Sequence, residues 1–160
     1  MSPARLPDKT IKAIGSGREV NLQNFGLPTI LIFHYRDSAS TARKINNSVR
    51  EKYDAEEVFI ASVLDLHSIP KIARGATEAM IGREYKKAAG ELKETENPEE
   101  YVVLLPDWNG QMTKALGFSD TNKTAGIAIL DESGYVHDTY QGDESIKMSL
   151  SLLEKLIKKK

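Results

Sequence analysis

Three apolar runs do most to limit how this 160-residue chain can fold: "TILIFHY" (29–35), "EVFIASVLDL" (57–66) and "YVVLLPD" (101–107). Each is continuous rather than alternating, as expected of a strand covered on both faces. Helical patterns separate them. Ile45, Val49 and Tyr53 recur every four residues, and from Thr77 onward Ile81, Tyr85, Ala88 and Leu92 fall on one helical face. "LHSIPKIARG" (66–75) reads as irregular, punctuated by Pro70 and Gly75, and "ETENPEE" (94–100) ends the second helix. "WNGQMTKALGF" (108–118) gives a short helix that stops at Gly117. "AGIAILDESGYVHDTYQG" (125–142) is a hairpin turning at Glu132-Ser133-Gly134. Ile146, Leu150, Leu153 and Ile157 then predict a final helix with that stripe toward the core.

Upstream, Gly15-Ser16-Gly17 leads into a short strand near 18–22. With no strand read before it and no helix after it, this is a turn and not a phosphate loop. The order is one strand, then β-α-β-α-β-α, then β-β-α. It predicts a three-layer α/β/α sandwich with a mainly parallel central sheet, closed by a C-terminal hairpin and helix. One domain spans 1–160, with its core at about residues 19–157.

Charge narrows the partners. Twenty-two basic and 23 acidic side chains leave a net charge of -1. There is thus no field to favour nucleic acid or anionic lipid, and neither is expected as a partner. The terminal Lys158-Lys159-Lys160 reads as a solvated helix end suited to the macrodipole. No apolar run approaches the roughly 18 residues of a membrane span, and "MSPARLPDKT" lacks the apolar centre of a secretory signal. A cytoplasmic protein is the expectation, although a mature periplasmic form trimmed of its signal would read the same.

Cysteine is absent. That count excludes disulfides, thiolate catalysis, zinc–thiolate sites and iron–sulfur ligation from within the chain.

The element order, together with the tandem "LLPDWNGQMTKALGF" (104–118) and "IAILDESGYVHDTYQGD" (127–143), resembles the thioredoxin-like superfamily and in particular its redoxin or peroxiredoxin (AhpC/TSA-like) branch. The resemblance spans about residues 19–156. His34, the Ser/Thr-rich bend, Lys44, Asn46 and "LDLHSIPKIARGATE" (64–78) are similar to the YtfJ-type group within that fold. The resemblance implies that the bend after "ILIF" is where a redox cysteine would stand. Aligned on Phe33, a Cys-x-x-Cys pair falls on Ser38 and Thr41. A single peroxidatic cysteine falls near Ala42, and its bend proline near Tyr35. The thioredoxin cis-proline, or the peroxiredoxin arginine, falls at about 124–126. None of these family residues is present. An alcohol does not ionise near neutral pH under a helix dipole and does not exchange disulfides, so Ser38 and Thr41 are not expected to run dithiol chemistry. As a hydrolytic nucleophile Ser38 lacks a Gly-x-Ser-x-Gly elbow, and Ser38 or Ser40 serves more simply as a helix N-cap.

Parallel strands would gather polar residues at the carboxyl edge of the sheet, where open α/β sheets bind ligands. His34, Arg36 and Asp37 follow the first long strand, Asp65 and His67 end the second, and Asp107 ends the third. Tyr35 and Trp108 would wall the same cleft. Two His and three Asp suit a divalent metal chemically, but their spacing matches no ligand motif. The same residues read more simply as strand-end caps that hydrogen-bond loop backbones. His137 reads as a solvent-facing strand residue, and Arg83, Lys86 and Lys87 as a solvated helix face.

No cofactor and no metal are expected. The expected function is a binding or interaction module without thiol chemistry, taking a protein or small molecule at the loop from Tyr35 to Thr41 and neighbouring His34, Ser38, Asp65, His67, Asp107 and Trp108. The alternatives are an enzyme or metal protein built on the His/Asp cluster, and an accessory member of a redoxin system.

Overall fold

A computed structural model describes residues 4–159; Met1, Ser2, Pro3 and Lys160, the last of the lysine triad, lie outside the described residues. Among the described residues, seven strands and five helices follow one another. In chain order they are β1 (Thr10–Lys12), β2 (Glu19–Asn21), β3 (Thr29–His34), α1 (Ala39–Lys52), β4 (Phe59–Asp65), α2 (Arg74–Gly90), α3 (Pro98–Tyr101), β5 (Leu104–Asp107), α4 (Gln111–Ala115), β6 (Gly126–Leu130), β7 (Val136–Gln141) and α5 (Ser145–Lys158). Single 3-10 turns at Arg36–Ser38 and Lys71–Ala73 lead into α1 and α2.

The central sheet has the order β5-β4-β3-β6-β7. β3 pairs in parallel with β4, and β4 with β5. β6 runs antiparallel to both β3 and β7. Four strands therefore point one way and β6 alone is reversed. β3, at the centre, is buried at all six positions, as its unbroken apolar sequence requires.

Alternation divides the sheet into two faces. Ile30, Ile32, Ile60, Ile127 and Ile129 point toward α1 and α5, meeting Ala42, Ile45, Val49, Leu153 and Leu156. Leu31, Phe33, Ala61, Val63 and Leu105 point the other way, into Ile11, Val20, Leu22, Met112 and Phe118. The second outer layer is thus the β1–β2 hairpin together with the short α4. α2 contributes Ile81 to a smaller cluster with Leu64 and Leu66.

Five local expectations are corrected. A strand, β1, does precede Gly15-Ser16-Gly17, which is the connection of a β1–β2 hairpin; the turn reading stands. Gly75 lies within the first turn of α2 instead of before it, and "NPEE" forms the one-turn α3, started by the Asn97 side chain accepting from the Glu99 amide. In α5 the buried positions are Ser145, Ser149, Leu153 and Leu156, whereas Ile146 is exposed. The Ser145 and Ser149 hydroxyls bond to the carbonyls of Gly142 and Ser145, which lets small polar residues sit against the core. The fifth correction, at Ser38, belongs to the site.

Candidate functional site: the bend after the central strand

The bend begins where β3 runs out. Arg36 adopts a left-handed backbone, φ 48°, unusual for a residue with a Cβ. Ser38 occupies the N-cap position of α1 but makes no capping hydrogen bond. Its buried hydroxyl instead donates to the carbonyl of Thr121, at 2.5 Å, and accepts from the amide of Tyr35 at 3.2 Å. One residue earlier, the amide of Asp37 donates to Asn122 Oδ1 at 3.1 Å. Two links therefore clamp the bend to the loop that precedes β6, where Asp120 is the other non-glycine residue with positive φ among those described.

Thr41 is half-buried in the first turn of α1, and Ala42 packs into the core. The side chains of Arg36 and Asp37 are exposed, with the Arg36 guanidinium 5.2 Å from the centre of the Tyr35 ring.

His34, the last residue of β3, is only 9% exposed, and neither ring nitrogen has a hydrogen-bond partner among the described residues. Burial lowers its pKa from 6.5 to about 4, so the ring is neutral near neutral pH. It lines a cavity of about 500 Å³ between α1 and α2. Tyr35 lines the same cavity, and its hydroxyl is also buried without a partner. Ile60, Leu64 and Ile81 give apolar walls.

The remaining strand-end residues go elsewhere. The Asp65 carboxylate accepts from the amide of His67 at 3.2 Å, and its Oδ1 lies 2.8 Å from His67 Nδ1. Gly110 (φ 66°) crosses close by; a Cβ there would stand 3.1 Å from both Asp65 Oδ1 and His67 Cβ. Asp107 is buried and its oxygens accept from the amides of Met112 and Thr113 and from the Thr113 hydroxyl, so it fastens the start of α4. Trp108 is half-buried under the Arg74 guanidinium, 5.0 Å from the ring centre, and borders a second cavity of about 1000 Å³ beside β1 and the start of α2.

Tyr35 and Trp108 thus line different cavities, contrary to the single cleft expected. His34 and His67 likewise serve separate surroundings. Among the described residues, no group of three or more His, Asp or Glu side chains is placed to hold a metal ion. His137 is exposed as expected, but its Nε2 lies 3.1 Å from Asp131 Oδ2. Burial works to raise the Asp131 pKa, but the hydrogen bonds its carboxylate makes with the His137 ring and with the Tyr135 and Ser133 amides outweigh burial and hold the pKa below the usual range. Sequence reading missed two contributions: Thr121 and Asn122, which hold the bend from about 85 residues away, and the α2 wall of the cavity. The polar stretch "SDTNKT" (119–124) carries no pattern that would announce the first.

No family model matches the chain, and no curated protein matches it. Solved structures do. The exposed lipoprotein thioredoxin Etrx1 of Streptococcus pneumoniae superimposes with a TM-score of 0.61 at 18% identity, covering 93% of this chain and 99% of that one. A thiol:disulfide interchange protein DsbE of Chlorobium tepidum gives 0.61 at 17% identity, covering 98% and 96%. Peroxiredoxin Q of Xanthomonas campestris gives 0.58 at 12% identity, covering 98% and 97%. These likenesses define the fold as thioredoxin-like. This particular chain carries that fold with no cysteine at any position.

Proposed function

We propose that the chain is a noncatalytic binding module, gripping a partner at the bend from Tyr35 to Thr41 and the loop clamped to it, and that it performs no thiol redox chemistry. The supporting observation is the state of Ser38. Its hydroxyl stands where the redoxin resemblance puts a reactive sulfur, yet it is buried and committed to two backbone groups. A nucleophile must be exposed and activated by a base within hydrogen-bond reach; this hydroxyl holds one loop against another. The exposed Arg36 and Asp37 above it offer charges of both signs for recognition.

The test has two arms. Insulin reduction and peroxide consumption are expected at background rates, and turnover by the purified chain would overturn the non-redox half. Capture from a cell extract by the wild type is expected to yield partners that a Tyr35→Ala, Asp37→Ala double variant loses. Identical partner sets, or none, would overturn the binding half.

A further inference from the structure

The cavity behind the bend holds two polar side chains with no hydrogen-bond partner among the described residues. A neutral imidazole presents one N–H donor and one bare nitrogen acceptor, and at His34 both are buried and unpaired. The Tyr35 hydroxyl adds a group that donates and accepts, equally unpaired. Buried polar atoms are nearly always satisfied in folded proteins, and unmatched ones facing a cavity point to a missing occupant. The cavity, about 500 Å³, falls within the roughly 300–1,000 Å³ range of small-molecule sites. Ile60, Leu64, Ile81 and Ala88 give it a mainly hydrocarbon wall. Charged residues of the lining, Arg36, Arg43 and Glu84, are all exposed and stand on its solvent side. A formal charge deep inside would meet the same desolvation that keeps His34 uncharged.

We infer that this cavity binds a small uncharged ring-sized molecule carrying a hydroxyl, with the apolar body against Ile60, Leu64 and Ile81 and the hydroxyl on His34. A hydroxyl can donate to the bare nitrogen of a neutral imidazole or accept from its N–H, so it matches whichever ring nitrogen of His34 it meets. The inference deepens the binding-module reading by naming a ligand class, but it does not depend on a protein docking at the outer bend.

The probes are phenol and toluene, alike in shape but differing in the hydroxyl, titrated into the isotope-labelled full chain and followed by amide and imidazole NMR. Phenol is expected to saturate, with shifts confined to residues around the cavity and a change at the His34 ring nitrogens. Toluene should bind about tenfold more weakly, the factor that one net hydrogen bond supplies. His34→Leu should erase the preference for phenol while leaving toluene within about twofold, by the same reasoning. Ala88→Phe, at a half-buried position of the α2 wall, should block both probes. Equal affinity for the two probes, shifts scattered over the surface, no saturation, or a phenol preference that survives His34→Leu would each overturn the inference. If the His34 variant does not fold, the wild-type comparison and Ala88→Phe decide. Phenol binding alongside failed partner capture would overturn only the outer-surface reading, and partner capture without phenol binding only this one.

Discussion

At Ser38 a hydroxyl that reads in sequence as a helix cap turns out to be a tie between distant segments. Capping is a local pattern, whereas the Thr121 carbonyl it meets is 83 residues away; nothing local distinguishes the two uses. Ser38→Ala should therefore cost about 1–3 kcal/mol, the penalty for leaving a buried carbonyl unmatched. Urea titration checks this as a lower midpoint with an unchanged slope. His34 was legible as a strand-end histidine but not as a buried one, since either side of a strand end can face a cavity. Its depressed pKa, from 6.5 to about 4, gives a pH dependence whose sign is fixed. Above pH 6.5 the ring is neutral folded or unfolded and adds no pH-dependent cost. As pH falls from 6.5 toward 4 the unfolded chain takes up the proton first, so stability drops, by on the order of 3 kcal/mol once both states are protonated. Denaturant unfolding at pH 7 and pH 4 should show that much less loss in His34→Leu than in the wild type.

Among the elements, the long apolar strands announced themselves and the short ones did not. β3 and β4 are six and seven residues of largely buried sequence. β1 is three residues with only Ile11 facing inward, too brief to show a period. α5 was legible as a helix but its stripe was misplaced, because hydrophobicity alone put Ile146 inside while Ser145 and Ser149 take the buried positions by bonding to the backbone. The two candidates for the core can be told apart by truncation. Leu153→Ala should destabilise by about 2–5 kcal/mol, the range for emptying a core position, and Ile146→Ala by about 0.5 kcal/mol or less, as at a surface site. Thermal and urea unfolding of the pair check this, and equal losses would restore the original stripe.

For the whole molecule, element order carried the most information. The α/β/α sandwich could be read from three buried strands, the helices between them and a closing hairpin, because connection rules leave few other ways to pack that order; the thioredoxin-like fold followed from the resemblance that order carries. The site was only partly legible. Parallel strands do bring His34, Asp65 and Asp107 to one edge, with His34 paired to Leu64 and Asp65 to Asp107 in register. Side-chain direction then separates them, sending His34 into the cavity, Asp65 to His67 and Asp107 to α4. Edge position follows from topology, but who bonds to whom follows from loops of irregular backbone. The double attachment of the bend has a mechanical consequence. Asp37 and Ser38 are neighbours fastened to neighbours, Asn122 and Thr121, so whatever prises one side loose strains both fastenings together. The rim must yield as a single piece, and a guest arriving from outside meets a stiff lip instead of a pliable flap.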